Sequence, residues 1–350
     1  MDKNVYCTLF DSNYLDKGLV LIKSLEKNAK KFRLYVLAMD DRCEKVLKDI
    51  DFENVIVVSL CDFEDEVMLK VKSNRSRAEY NWTCSACFLD YVFTVYNEGY
   101  CTYIDADMYF YCDPIVLINE MIANNKSVQI IEHRFSNSFY GYYSEKNSGK
   151  YCVEFNTFCN DTFGRKVLKE WKKQVLNSCK AADNGKTFGD QMYLNEWLEK
   201  YDCVHVLEHP GAGLALWNLD RYKLISKNDD DIQIKMDDKV STNVVFYHYH
   251  NICYLNEKTV DIGVAASHWR VDHKLVKALY NEYLLKLNHE KEFVLKEYGF
   301  YPMIIKHPAL SEEIEPVNLS LKDKIYNYSV DLDRRIKKYL NGKKDIIHIG

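Results

Sequence analysis

Proline and glycine are scarce in this 350-residue chain, at 5 and 13 residues. That excludes collagen-like, linker-rich and low-complexity architectures. No uncharged apolar run approaches the roughly 18 residues needed to cross a bilayer, so no membrane span is expected. The opening stretch MDKNVYCTLF has no charged n-region followed by an apolar h-region, and no secretory signal is expected. Basic charge is not in excess either. Lys and Arg total 47 against 52 Asp and Glu, a net charge of −5, which argues against a nucleic-acid partner. An anionic substrate would therefore need local help from a metal or a few placed cations.

Cysteine is plentiful, at 12 residues, yet the pattern is not that of a disulfide framework. Several cysteines, such as Cys7 and Cys101, sit in apolar runs, where a free thiol behaves as a small hydrophobe. Cys84 and Cys87 form a C-x-x-C, but a zinc site needs four ligands and no second pair exists. Reduced thiols in a cytoplasmic protein are the expectation.

The first 130 residues alternate strand-like and helix-like segments. Val5–Phe10, Arg33–Met39, Asn54–Leu60 and Cys101–Ile104 read as strands. Leu15, Leu19, Ile22 and Leu25 recur at helical spacing, and Arg77–Tyr96 reads as a long helix. This alternation predicts a mainly parallel α/β sheet with helices on both faces, whose ligands bind beyond the carboxyl ends of the strands. Further on, His133–Lys150 reads as a long polar loop, Tyr151–Phe158 as a strand, and Arg165–Leu176 and Phe188–Lys200 as helices. Val244–His248 reads as a short strand. From about residue 262 the chain turns helical and charged. The division expected is a domain over 1–260 and a C-terminal helical appendage over 261–350.

The most informative segment is CTYIDADMYF, residues 101–110. On a strand with a side-chain period of two, Asp105 and Asp107 would project to one side a few ångströms apart. Two carboxylates that close repel unless a cation lies between them. Hard oxygen ligands suit Mg²⁺ or Mn²⁺ and leave positions open for phosphate oxygens. An isolated D-x-D is commonly a pair of solvated loop aspartates; its company distinguishes this one.

Five motifs follow in order: FDSNY (Phe10–Tyr14), DAD (Asp105–Asp107), FN (Phe155–Asn156), FGDQ (Phe188–Gln191) and FYHYH (Phe246–His250). Together, over roughly residues 5–252, they resemble the family 8 glycosyltransferases. Those are enzymes of GT-A (Rossmann-like) fold that transfer a sugar from a nucleotide-diphosphate sugar with retention of configuration. The resemblance implies a uracil pocket built from Thr8, Leu9, Asp11 and Tyr14. It implies metal binding by Asp105 and Asp107, with Ala106 between them against the donor, and with His248 or alternatively His250. It further implies donor-sugar contacts from Asn156 and Asp190, and Gln191 beneath the anomeric carbon. Without the other motifs, Asp11, Ser12 and Asn13 read equally well as helix caps, and Asp190 as a carboxylate at a helix N-terminus.

Two departures from the family pattern stand out. The Gly-x-x-Lys-Pro-Trp stretch after the histidine is missing, since Asn251-Ile252-Cys253-Tyr254 follows instead. Arg75 and Arg77 are then the candidate cations for the diphosphate. The family's helix arginine is replaced by aromatic or polar residues around Trp82. The segment from His209 to Asn218, with two glycines and Trp217, reads either as an acceptor wall or as a tight turn.

The expected function is a metal-dependent (Mn²⁺ or Mg²⁺) hexosyltransferase using a UDP-sugar and a glycan or glycolipid acceptor. A sugar-phosphate nucleotidyltransferase is the first alternative, but FDSNYLDKG is not a Gly-rich phosphate loop. A non-catalytic sugar-nucleotide-binding protein is the second. The basic amphipathic stretch Leu319–Leu340 suits either packing against the body or peripheral contact with an anionic membrane surface.

Overall fold

The computed structural model describes residues 3–136, 139–181, 188–264, 271–305 and 345–349. Its first unit is strand β1 (Asn4–Phe10), helix α1 (Leu15–Asn28), β2 (Phe32–Ala38), α2 (Asp41–Ile50) and β3 (Val55–Ser59). Short helices α3 (Leu60–Phe63) and α4 (Glu66–Lys72) lead to α5 (Arg77–Tyr96). Then come β4 (Tyr100–Ile104), β5 (Met108–Phe110), α6 (Ile115–Ala123), β6 (Val128–Glu132), α7 (Phe139–Ser148), β7 (Tyr151–Cys159) and α8 (Thr162–Asn177). Helix α9 (Trp197–Lys200) and β8 (Val204–Val206) complete the central layer.

The seven-stranded sheet has the order β3-β2-β1-β4-β7-β6-β8. β7 alone runs against the rest, pairing antiparallel with both β4 and β6. The expected mainly parallel α/β sheet is therefore present. Period-two alternation explains its two cores. Val5, Cys7 and Leu9 of β1 face α5 and α8, whereas Tyr6 and Phe10 face α1, α2 and α6. Capping residues fix where the helices begin. Ser76 and Glu79 form a reciprocal capping box on α5, Asp40 caps α2 and Asp161 caps α8.

Three smaller sheets follow. One is β5 with β9 (Leu214–Ala215) and β13 (Phe246–His248), in the order β5-β13-β9. Another is the antiparallel ribbon β10 (Tyr222–Asn228), β11 (Asp231–Met236) and β12 (Val240–Asn243). The third joins β14 (Cys253–Asn256), β15 (Thr259–Asp261) and β16 (Ile346–His348), so that residues on both sides of position 260 share a sheet. The long helix α10 (His273–Tyr298) packs on α1 and closes a third core rich in tyrosine.

Several local expectations need correction. Asp105 and Asp107 are not strand residues: β4 stops at Ile104 and Asp105-Ala106-Asp107 turns into β5, which leaves the central sheet. Residues 188–200 are not one helix but a turn, a 3₁₀ segment over Met192–Glu196 and then α9. The polar stretch 133–150 carries α7, because polarity alone does not forbid a helix whose ends are tied elsewhere. The basic stretch 319–340 lies outside the described residues. No helix among the described residues is long and apolar enough to cross a membrane.

Helix α1 lies flush on β1, and glycine makes that approach possible. A Cβ at Gly18 would come within 2.4 Å of the buried Phe10 ring. Gly18→Ala should therefore lower unfolding free energy by about 1–3 kcal/mol in urea titrations, the usual penalty of overpacking. Gly99→Ala, where no atom lies within 4 Å, should stay within about 0.5 kcal/mol of wild type.

Candidate active site

β13 lies between β5, which it pairs antiparallel, and β9, which it pairs in parallel. That arrangement brings three chain segments together at the carboxyl end of β4: the turn Asp105–Asp107 before β5, Trp217 just after β9, and His248 and His250 at the end of β13. His248 is buried, and its Nε2 lies 2.9 Å from Asp107 Oδ1 and 3.6 Å from Asp105 Oδ2. Its Nδ1 is 2.6 Å from Oε2 of Glu154 on β7, a residue with no exposed surface. One ring nitrogen is thus oriented by a buried carboxylate while the other faces the aspartates, the arrangement that fixes a metal-binding histidine.

The electrostatics follow from this packing. Burial alone would lower the His248 pKa, but Asp107, Cys152 and Glu154 together hold it well above its usual value. Burial would raise the Asp107 carboxyl, yet His248, Lys17 and His250 outweigh it and keep Asp107 ionised far below the ordinary range. Asp105 is shifted the other way, by enclosure first, against His248 and together with Asp107 and Glu154. The donor atoms of Asp107, His248 and His250 all lie within 4.8 Å of one another. Cys152, Glu154 and His248 also meet that spacing. Burial pushes the Cys152 thiol up to about 12, so it stays a neutral thiol and a poor ligand. The carboxylate–imidazole set suits Mn²⁺ or Mg²⁺, with Asp105 at the lip. Both histidines of the FYHYH motif reach this point, and the resemblance had left open which one would.

A cleft of about 360 Å³ opens beside the aspartates, lined among others by Trp82, His133, Asp190, Gln191, Trp217 and His250. Gly189 has a positive φ of 56°, and a Cβ there would sit 3.2 Å from the Trp82 indole. This left-handed turn aims Asp190 and Gln191 at the cleft. Asp190 directly precedes Gln191, the N-cap of the 3₁₀ segment, and its carboxylate is directed instead at α5. Its Oδ2 accepts a 2.6 Å hydrogen bond from the Ser85 hydroxyl of α5, and its carbonyl accepts from Trp171 Nε1. Burial, opposed by Ser85 and aided by Asp105, raises its carboxyl to about 7. Gln191 donates its amide to the Ser148 carbonyl at the end of α7, at 2.5 Å. Trp217 stands edge-on to His248 and His250, at ring separations of 5.3 and 5.7 Å.

The other expected residues are distributed less simply. Asp11 is buried, its Oδ1 accepting from the Asn13 amide at 2.8 Å and its Oδ2 paired with Arg77. Asp11 therefore serves as a cap and as an ion-pair partner at once. Arg77 also lies 3.7 Å from Asp40, so it is already engaged by carboxylates. Arg75 points at the Val175 and Leu176 carbonyls. Thr8, Leu9 and Ala106 are buried, while Tyr14 is partly exposed. Asn156 is fully buried, does not line the cleft, and neither of its amide atoms has a hydrogen-bond partner among the described residues.

Sequence reasoning missed Glu154 as the partner of His248, although a lone acidic residue inside the apolar run Tyr-Cys-Val-Glu-Phe was a visible signal. It also missed Lys17 and His133. Burial drives the His133 pKa down to about 3, so that ring is a neutral wall of the cleft.

The raised Asp190 carboxyl carries a stability consequence. Between its ordinary value of 3.8 and about 7 the folded chain binds a proton that the unfolded chain has released. Stability therefore falls as pH rises through that window. Asp190→Asn keeps the shape and removes the titration. Its unfolding free energy should match wild type near pH 4 and exceed it by pH 8, by a few kcal/mol at about 1.4 kcal/mol per unit. A pH-independent difference would contradict the shift.

No protein-family profile matches the chain. Among solved structures, it is similar to the apo form of mouse xyloside xylosyltransferase 1, with a TM-score of 0.45 and 12% identity, covering 71% of this chain and 98% of that one. It is also similar to the galactosyltransferase LgtC in complex with donor and acceptor sugar analogues, again at TM-score 0.45 and 12% identity, over 70% and 87%. Two uncharacterized proteins of Bacillus subtilis strain 168 are closer in sequence. YfnF is 29% identical over 290 residues, 80% of this chain and 91% of its own. YfnD is 30% identical over 286 residues, 81% of this chain and 88% of its own. An identity of that level along most of both chains means that this chain belongs to the same family as YfnD.

Proposed function

We propose that the protein is a metal-dependent glycosyltransferase of GT-A type. It moves a sugar from a nucleotide-diphosphate sugar, a UDP-sugar, to a glycan or glycolipid acceptor in the cytoplasm. Residues 1–260 form the donor-binding and catalytic unit in this reading, and 261–350 the C-terminal appendage. The observation that supports it most directly is the meeting of Asp105, Asp107, His248 and His250 at the mouth of a cleft that also displays Asp190 and Gln191. All lie beyond the carboxyl ends of parallel strands, where ligands of such sheets bind.

Each residue then has a defined task. Asp11, held by Arg77 and Asn13, lies with Tyr14 and the Thr8–Leu9 backbone on the side that would take the base. Asp107, His248 and His250, with Asp105 at the lip, would hold Mn²⁺ or Mg²⁺. Bound there, the ion offsets charge on the departing diphosphate as a Lewis acid, worth several kcal/mol. Glu154 fixes the His248 ring so that its Nε2 stays directed at the aspartates. Asp190 addresses the sugar hydroxyls, and the edges of Trp217 and His133 shape the acceptor side.

Gln191 supports the stereochemical reading, with Asp190 beside it as the alternative nucleophile or base. An inverting transfer needs a base opposite the leaving group to deprotonate the acceptor. An amide cannot serve as that base. Tied through its nitrogen to Ser148, it offers its carbonyl oxygen to a developing oxocarbenium ion. The acceptor then approaches from the leaving-group side, gives its proton to the departing phosphate, and configuration is retained.

Asp107→Asn should abolish Mn²⁺-dependent stabilisation by UDP in thermal shift, and lower sugar transfer or slow UDP release by about 10²-fold or more. Full activity in this variant, or in wild type treated with EDTA, would refute the metal role. Separately, NMR of the product's anomeric proton should report the donor's configuration. Gln191→Ala should reduce turnover while leaving donor affinity nearly unchanged, and an inverted product would reject this assignment.

A further inference from the structure

The arginines nearest the site are already engaged, which leaves the negative charge of a diphosphate without an evident side-chain cation. The basic side chains buried among the described residues are Lys17, Arg134 and Lys291. Arg134 donates to the carbonyls of Leu207, His209 and Ala212. The Lys291 ammonium is taken by the Glu257 carbonyl. Lys17 differs. It is 5% exposed, and no carboxylate or carbonyl oxygen accepts from its ammonium among the described residues. What holds the ammonium is the face of Tyr14, 3.7 Å from the ring centroid.

Its charge is felt by Asp16 and Asp107, but no carboxylate oxygen is hydrogen-bonded to the ammonium, and a cation–π contact returns only about 0.5–2 kcal/mol of the cost of partial burial. Such a group persists where something else needs it. Asp16, its chain neighbour, feels the Lys17 charge but makes no hydrogen bond to the ammonium: that carboxylate accepts from the Lys17 backbone amide at 2.8 Å and from the Tyr254 hydroxyl. Lys17 lies in the first turn of α1, on the same sheet edge as Asp11 and the Asp105–Asp107 turn, and its charge acts on Asp107. Tyr14, on which it rests, belongs to the FDSNY turn that would flank the base. The ammonium thus touches the turn that would flank the base and acts electrostatically on Asp107 of the metal side, the two regions that the phosphates of a nucleoside diphosphate would join.

We propose that Lys17 is the side-chain cation that binds the diphosphate, with Tyr14 as the platform that holds it ready. This rests on the nucleotide-sugar reading above and assigns within it a residue that Arg75 and Arg77 were expected to supply. Lys17 pairs with phosphate oxygens and takes part in no proton transfer. With most of the side chain enclosed, the contact is screened less than at a surface lysine.

The test is calorimetry on the full chain with Mn²⁺, comparing UDP with uridine. Lys17→Met keeps the length of the side chain and removes the charge. It should weaken UDP by about 10–100-fold, the range of a charge-assisted hydrogen bond, and leave uridine affinity unchanged. Its melting temperature without nucleotide should stay close to that of wild type. Lys17→Arg should restore at least part of the UDP affinity. Unchanged UDP binding in Lys17→Met, or equal weakening of UDP and uridine, overturns the assignment while the nucleotide-sugar reading stands. A drop in melting temperature with both ligands weakened assigns Lys17 to folding instead and also overturns it. If wild type binds none of UDP, ADP, GDP and CDP, the nucleotide-sugar reading itself falls.

Discussion

The coupling of His248 to Glu154 on one side and Asp107 on the other is the interaction on which the site depends. Glu154 belongs to the central sheet, His248 to the small sheet, and Asp107 to the turn that leaves one for the other. A single imidazole thus pins the two sheets together at the point where chemistry would occur. Glu154 is wholly buried, and its second oxygen has no hydrogen-bond partner among the described residues, so its charge is answered chiefly by the histidine. Removing one member of such a buried pair typically costs about 3–5 kcal/mol, because the remaining charge has nowhere to go. A proton on His248, or a cation held by it, meets the same electrostatic demand.

The third core explains how β13 is held in place. Tyr247 shares a hydrogen bond with Tyr280 of α10, while Tyr249 bonds Tyr111 and the Leu279 carbonyl. The Tyr249 and Tyr283 rings stack. Alternate residues of this segment therefore point opposite ways. The tyrosines enter a core closed by the C-terminal helix, and the histidines enter the site. Tyr254, further along, reaches Asp16 at the start of α1. Helix α10 buttresses the site from behind, and among the described residues none beyond Asn251 lines the cleft, so a disturbance in α10 would reach the histidines through packed phenol rings.

Charge in this acidic protein is arranged locally. Arg77 is committed to Asp11 and Asp40, Arg134 to backbone carbonyls, and Lys23 to Glu290. These pairings hold turns and helices in register. They also keep most positive charge away from the aspartates, apart from Lys17 and the two histidines. An anionic donor would thus be drawn by a few focused groups and not by the overall field.

The order of strands and helices was legible in the sequence, because hydrophobic period and capping residues act over a few positions. β1, β2, β4 and α5 lie within a residue or so of where the pattern puts them. Asp105, Asp107, Asp190, Gln191 and the two histidines stood out in the sequence as well, since carboxylates, an amide and imidazoles in short motifs carry chemical meaning wherever they fold, and the structure brings them to one cleft. Their geometry was not legible there. The D-x-D reads as a strand end, yet β5 leaves the central sheet to pair with β13, a partner far along the chain, and that turns the aspartates into a hinge. The choice between His248 and His250 dissolved in the same way, because both reach Asp107. Arg77 looked available in sequence and is paired with Asp11, whereas Lys17, which nothing in the sequence singled out, is buried. Which charges cancel and which stay unpaired depends on contacts between distant segments and on what is removed from water. Sequence determined the elements and the chemical inventory, and tertiary packing alone decided which of those groups are left able to act.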